Sequence, residues 1–408
     1  MSSSKMTKLS ASALAFLPQE ILVEILSKLP AKSLVRFKSV SKFFFSLLVD
    51  HPFADLHRNW SLTLPSRMSI LIFFPPTRDR NTSRYFTTNY SEENQGKLQV
   101  NHLQYIDDDG DIFGKVYLRS ALNGLLCFCG SSRLGDDIAI HNLSTRRHIS
   151  LPPTYPRLPR DSRMRMNVCG LLGFDPVSRR YKVLKSVQFS KNIFRDGHVS
   201  VKHWVFTLGV DKSWREVHPS PLFNPYNCFN NDFYFHTSVH IDGIIYSLNS
   251  LNYSNYHIVA FDVRTENFLA MPLLPPNIIL VVGLVEVDGR LALVGLGMNI
   301  WTLEESMVWK KQYSICIPRL LSQEIRDEDL QREKVANEEE FIWRNLFFVA
   351  NQVGEIAVLL MLKRSVFILF YNLKTHNWRK FELCEFGMPL SEVMYHSTAM
   401  HFILDNIF

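Results

Sequence analysis

Cysteine is scarce in this 408-residue chain, and none of its six cysteines forms a CxxC pair. Cys127, Cys129, Cys169, Cys228, Cys316 and Cys384 show no even framework of spacings. That excludes a disulfide-stapled secreted scaffold and fits reduced thiols in the cytoplasm or nucleus. Excess charge of one sign is also missing: 45 Lys and Arg against 39 Asp and Glu leave a formal +6. So mild an excess argues against a dedicated nucleic-acid binder. The longest apolar run, Ile278–Val285, falls far short of the ~20 residues a spanning helix needs, so no membrane partner is expected. Near the N-terminus, Ala11–Leu17 is interrupted by Ser12 and followed by Pro18 and Gln19, a poor signal-peptide core. Residues 1–15 read as a disordered tail, and the sequons at Asn81, Asn142 and Asn252 as chance matches.

Catalytic signatures are equally sparse. There is no GxSxG elbow, no GxxxxGK[ST] phosphate cradle and no HExxH. His236 and His240 have i, i+4 spacing, but the residues between them read as a strand, which would hold the two about 13 Å apart. Asp107-Asp108-Asp109-Gly110-Asp111 lacks the closing Glu of a calcium loop and reads as an acidic turn. Cys127 and Cys129 share a strand face and read as small buried apolar residues. Gly295-Leu-Gly297 has no following helix and is no nucleotide fingerprint. No catalytic residue, metal site or cofactor is expected.

What the chain has in plenty is aromatic: 30 Phe, 14 Tyr and 7 Trp against 17 Gly, a balance that favours pleated, half-buried surfaces. Two periods divide it. Leu17-Pro18-Gln19-Glu20 opens a helix with an early proline and an acid in the first turn. Ile21, Leu22, Ile25, Leu26 and Leu29 then form one apolar stripe, and Pro30 stops it. A second helix is predicted from about Lys32 into Leu48, capped by Ser33, with Leu34, Phe37, Val40, Phe44 and Leu47 on its apolar side and Asp50-His51-Pro52 ending it. About forty residues cannot bury so much aliphatic surface alone. Either these helices pack on the rest of the chain or they offer a face to a partner, and periodicity does not choose between the two.

After residue 65 short apolar runs alternate with turn residues, as in Ser69–Phe74, Leu125–Cys129, Tyr181–Val187, Trp204–Val210, Gly243–Leu248, Ile258–Asp262, Arg290–Val294, Glu355–Leu362 and Val366–Tyr371. A weak repeat organises them. Asn123-Gly124, Asp242-Gly243, Asp288-Gly289 and Gln352-Val-Gly354 each precede a strand and read as hairpin turns. Polar turns at Asn142, Asp211, Asp262, Glu304–Trp309 and Asn372 end strands; four intervals from Asn142 to Asn372 average roughly 57 residues, near the ~50 of kelch-type blades. This is the pattern of a β-propeller over 65–405, of six blades, with seven as the alternative. Arg157, Arg160, Arg163 and Arg165 lie in a Pro-containing segment, and about 322–344 reads as a charged insertion; both read as solvated surface.

The segment from Leu17-Pro-Gln-Glu-Ile-Leu through Leu29-Pro-Ala-Lys-Ser-Leu-Val-Arg-Phe to Lys42 closely resembles an F-box, particularly the plant type. Asn123-Gly124-Leu-Leu, Gly173-Phe-Asp175-Pro-Val-Ser-Arg-Arg-Tyr181-Lys-Val and Asp211-Lys-Ser-Trp214-Arg resemble the associated region of the same family. The resemblance implies an α+β multidomain chain: a helical F-box over 16–60 followed by a propeller. It also implies docking on a Skp1-like adaptor of a cullin–RING ubiquitin ligase, through Leu17, Pro18, Ile21, Ile25, Leu26, Leu29, Pro30, Leu34, Val40 and Phe44. Phe44 stands where that family usually has Trp, so docking is expected to survive with less contact area. The propeller is then expected to capture an unidentified protein for ubiquitination. The alternative is a propeller-scaffold enzyme acting on glycans or small molecules, which would need carboxylates and histidines converging at the propeller centre. A pollen S-locus-type F-box is a subtype that nothing in the sequence separates.

Overall fold

Prolines and serines punctuate the N-terminal helices. The computed structural model describes residues 17–63, 68–74, 84–89, 96–103, 116–130, 138–154, 164–191, 199–217, 238–252, 255–275, 278, 281–295, 298–315, 346–351, 354–362, 365–387 and 399–404. Helix α1 (Gln19–Ser27) starts after Pro18 and α2 (Ala31–Phe37) after Pro30, each proline with extended backbone. The expected single helix from Lys32 to Leu48 with Ser33 as its cap is instead two. Ser41 is extended (φ −157°, ψ 159°), and its hydroxyl accepts the Phe44 N–H at 3.3 Å, capping α3 (Lys42–Val49). Pro52, expected to end the helical region, stands in the first turn of a further helix, α4 (His51–Thr63), where its missing N–H costs nothing. All four helices contribute to one core of Leu26, Ala31, Leu34, Leu47, Leu48, Phe53 and Ala54.

The remaining elements form six antiparallel sheets. In chain order come β1 (Met68–Phe74), β2 (Arg84–Thr88), β3 (Lys97–Gln99) and β4 (Asn101–His102). Blade 2 holds β5 (Val116–Leu122), β6 (Leu125–Gly130), β7 (Ile138–Asn142) and β8 (Arg147–Ser150). Blade 3 holds β9 (Met164–Asp175), β10 (Arg180–Lys191), β11 (Val199–Thr207) and β12 (Arg215–Val217); β11 ends at Thr207, three residues before the expected Val210. Blade 4 holds β13 (Ser238–Ile241), β14 (Ile244–Asn252), β15 (Asn255–Asp262) and β16 (Asn267–Leu269). Blade 5 holds β17 (Val281–Val287), β18 (Arg290–Gly295), β19 (Asn299–Leu303) and β20 (Trp309–Ser314). Blade 6 holds β21 (Leu346–Ala350), β22 (Glu355–Met361), β23 (Val366–Asn372) and β24 (Trp378–Cys384). The last strand, β25 (Ala399–Leu404), returns to pair with β1, completing blade 1 in the order β25-β1-β2-β4.

The innermost strands touch in one cycle, β25 to β5, β9, β13, β17, β21 and back to β25. The propeller therefore has six blades, not seven. The ring is closed twice. β25 pairs with β1 from Met68↔Leu404 to Phe73↔Ala399. β3 leaves blade 1 to run parallel along β24 of blade 6, with the Val100 N–H donating to the Cys384 carbonyl at 3.1 Å and Gln99 Nε2 donating to Glu385 Oε1 at 3.0 Å.

Strands read as near-continuous apolar runs because both faces of a blade are covered. Ile70, Ile72 and Phe74 enter the wedge against blade 6, whereas Leu71 and Phe73 enter the wedge against blade 2. The aromatics fill these wedges: Phe74 meets Phe86 edge-on, Phe206 packs on Trp214, and Tyr371 on Trp378.

The hairpins carry the chemistry that the repeat implies. Asn123-Gly124, Asp242-Gly243 and Asp288-Gly289 have positive φ at both positions, as a two-residue type I′ turn requires. In the second kind of turn, the side chain of the last strand residue caps the loop. Asp175 Oδ1 accepts from Val177 N, Asp262 Oδ1 from Arg264 N, and Asn372 Oδ1 from Lys374 N, at 2.9, 2.8 and 3.0 Å.

Removing residues 399–408 should open the ring and abolish a single cooperative unfolding transition, as read by circular dichroism in a thermal scan. Gly173→Ala should test how closely blades 3 and 4 approach. Its Cβ would lie 2.4 Å from Val263 Cγ2 and 2.9 Å from Ile245 Cδ1, both side chains buried. A loss of about 1–3 kcal/mol is expected from the urea midpoint.

Candidate functional site

Helix α1 has two faces. Leu26 is 4% exposed and faces the helical core, while Leu17, Ile21 and Ile25 recur every four residues and stay 42%, 43% and 48% exposed. Pro18, Pro30 and Val40 are exposed as well, and Leu29 is half-buried. Leu34 is fully buried in α2. Of the ten residues named from the sequence, Leu26 and Leu34 thus serve the module's own packing, each burial worth roughly 1.5–3 kcal/mol. Phe44 is half-buried, its ring 5.3 Å from Phe37 and 5.5 Å from Phe43.

Sequence reasoning did not name Phe43, Phe45 and Val49 on α3, which are also exposed. The signal was there: Phe43-Phe44-Phe45 in a helix point ~100° apart, so all three cannot face inward. Seven of the thirteen large exposed apolar side chains among the described residues fall between 17 and 49. Scattered exposed aliphatics are ordinary, but this density within so short a segment sets the helical module apart from the rest of the described surface.

The helical module meets the propeller at a defined place. Asp55 Oδ2 of α4 pairs with Arg179 Nε at 3.3 Å, and the Arg58 guanidinium lies over the Phe174 ring, 4.6 Å from its centroid. Both propeller partners belong to the β9–β10 hairpin, so the module sits on the face where strands 1 and 2, and 3 and 4, of each blade are joined. Those joins are short in blades 2 to 6, from two residues at 123–124 to seven at 208–214. At the opposite face β4, β8, β12, β16, β20 and β24 end and β5, β9, β13, β17, β21 and β25 begin, so the connections between blades, 11 to 31 residues in sequence, start and finish there. Arg157, Arg160, Arg163 and segment 322–344 belong to these connections and lie outside the described residues, as do His236, Asp107–Asp111 and the 1–15 tail.

A family model described as the F-box domain matches residues 14–55, and one described as the F-box associated beta propeller domain matches residues 70–407. The chain belongs to the F-box proteins with an associated β-propeller. An F-box protein of Arabidopsis thaliana is 31% identical over 260 residues, covering 62% of this chain and 58% of that protein. A second Arabidopsis F-box protein is 26% identical over 390 residues, covering 91% and 87%. An F-box/kelch-repeat protein of the same plant is 25% identical over 397 residues, covering 92% and 87%.

In this F-box protein several of the propeller's described ionisable side chains act as structural ties. Lys182 Nζ donates to the Val263 carbonyl and to Glu266 Oε1, both at 2.8 Å, clamping blade 3 to blade 4. Arg215 joins the same Glu266 at 2.5 Å and also pairs with Asp211. Burial opposes ionisation of Asp175, yet the Ser178 hydroxyl, two backbone N–H groups and Lys182 hold its carboxyl below the usual range. Glu355 is held by Arg379 at 2.6 Å and Asn351 at 3.1 Å. His240 Nε2 lies 3.0 Å from both the N–H and the carbonyl of Phe174, joining blade 4 to blade 3, and burial lowers its pKa. Cys127 and Cys129 pack in the wedge between blades 2 and 3, facing Gly170. Among the described residues there is no group of three or more His, Cys, Asp or Glu able to hold a metal ion.

His203 is buried beside Phe268 of the next blade, with Nδ1 2.8 Å from the Ser186 hydroxyl, and burial pulls its pKa down to about 4. A depressed folded pKa means the unfolded chain binds the proton more tightly. Stability is therefore complete above the unfolded value near 6.5 and falls as pH drops from there towards 4. His203→Leu should lose about 3 kcal/mol less than the parent between pH 7 and pH 4, as read from urea midpoints at both pH values.

Proposed function

We propose that this F-box protein is the substrate-receptor subunit of a Skp1–cullin–F-box ubiquitin ligase, acting in the cytoplasm or nucleus. The observation that carries the reading is an apolar stripe, Leu17, Ile21 and Ile25, left in solvent by a helical module whose own core is already closed. A folded module has no internal use for that stripe, so a Skp1-type adaptor is its occupant, with Pro18, Pro30, Val40 and the α3 residues Phe43 and Phe45 as further contacts. The far propeller face, where the blade-to-blade connections start and finish, supplies the capture surface for a protein target. The chain performs no bond chemistry in this reading; it raises the concentration of target lysines near the ligase.

Co-purification with a plant Skp1-type adaptor tests the docking. Leu17→Asp with Pro18→Ala, and separately Ile21→Asp with Ile25→Asp, should weaken association at least tenfold, or 1.4 kcal/mol, while the propeller's thermal unfolding stays unchanged. Unaltered association in both variants would overturn the docking reading.

A further inference from the structure

The helical module is fastened through a continuous series of contacts to the propeller. Within the module, His57 Nε2 of α4 donates to the Leu29 carbonyl at 3.0 Å, and Lys28 Nζ lies over the Trp60 ring at 4.8 Å, so α1 and α4 are tied at two levels. From α4 outward, Asp55 is shared. Its Oδ1 accepts from Arg58 Nη2 at 2.9 Å, and its Oδ2 pairs with Arg179 at 3.3 Å. The same Arg58 covers Phe174, itself a wedge residue and the neighbour of His240. Arg179 is set in turn by its hairpin: it occupies the positive-φ position (55°) of the loop that Asp175 caps.

Slack in the chain is small. Helix α4 ends at Thr63 and β1 begins at Met68, and the four residues 64–67 can reach at most ~14 Å. The charges at this seam are not all complementary: burial first, and the positive charge of Arg147 of blade 2 second, lower the pKa of Lys38 at the end of α2. The contacts that hold the seam are the specific ones of Asp55 with Arg179 and of Arg58 with Phe174.

We propose that α4 is a rigid strut, with Asp55 and Arg58 as positioning residues that lock it onto the β9–β10 hairpin. The α1 stripe and the crossover face of the propeller are thereby held at one separation and one orientation. In the ligase reading, on which only this consequence rests, the strut fixes the distance over which ubiquitin must be delivered. The strut itself can be measured on the isolated chain, so its failure and the failure of adaptor docking are separate results.

Spin labels introduced as non-canonical amino acids at Ser46 of α3 and Lys374 of the β23–β24 turn, both exposed, leave the native cysteines untouched. Electron–electron double resonance on the full chain should give one narrow distance distribution. The double variant Arg58→Gln/Arg179→Glu removes the ring contact and turns the ion pair into a repulsion. Its distribution should broaden at least twofold, with the propeller's unfolding temperature unchanged. Adding Asp55→Lys restores an ion pair of reversed sign and should narrow the distribution again, which general destabilisation would not do. A broad distribution in the parent chain, or an unchanged one in the double variant, overturns the proposal.

Discussion

Ring closure is the constraint on which the rest of this molecule depends. A propeller blade packs only against its two neighbours, so an open ring would expose the wedge between blades 1 and 6, with Ile70, Ile72 and Phe86 on one side and Leu359, Ile368 and Phe370 on the other. The chain places the seam inside blade 1 instead of between blades. Pairing β25 with β1 joins residues more than 300 positions apart, at a chain-entropy cost of about 5 kcal/mol beyond the constant for closing any loop. The side chains of that wedge offset it, and β3 adds a second tie by lying along β24. Such non-local pairing makes the fold slow to form, since closure must precede its own reward.

Closure also explains how the two surfaces are divided. β1 is the second strand of its blade and starts on the face of the short hairpin turns, so the helices that precede it in the chain emerge there. The turns on that face are fixed by Asn-Gly and Asp-Gly pairs and by Asx caps, and α4 contacts one of them, the β9–β10 hairpin. Strand alternation alone puts the ends of the blade-to-blade connections at the other face. One side of the disc is thereby occupied by short turns and by the helical module.

Much of this was legible in the residues. The two hairpin chemistries named their own turns, and the roughly 57-residue spacing marked the blades, because Gly at positive φ and a capping Asn or Asp are local requirements that tertiary packing does not change. Blade 1 was not legible. Its strands come from both ends of the sequence, so no periodicity within a window can assemble it, and β3 is only three residues long. The helices misled for a different reason. The stretch from Ala31 to Val49 is apolar at helical spacing throughout, and a single hydroxyl, that of Ser41, divides it by capping Phe44. In the candidate docking set, spacing could show a stripe but not which side of it faced home. Leu26 and Ile25 are neighbours in sequence and stand on opposite sides of α1, a choice made by α2, α3 and α4 together.

Periodicity offered two accounts of the excess apolar surface in the helices: packing on the rest of the chain, or presentation to a partner. In the docking reading proposed above, these fall to different helices. Helix α4 is consumed by the first, with Arg58 and Asp55 spent on the propeller and Phe53 and Ala54 on the core. Helix α1 is left free for the second, since its inward side is complete with Leu26 and its outward side touches nothing that would need Leu17, Ile21 or Ile25. The order matters for affinity. A module of some 45 residues folded only by its partner would lose binding energy to its own ordering, whereas one already held by a propeller presents its stripe preorganised. Through α4 the propeller braces a very small helical module that keeps an apolar face in water.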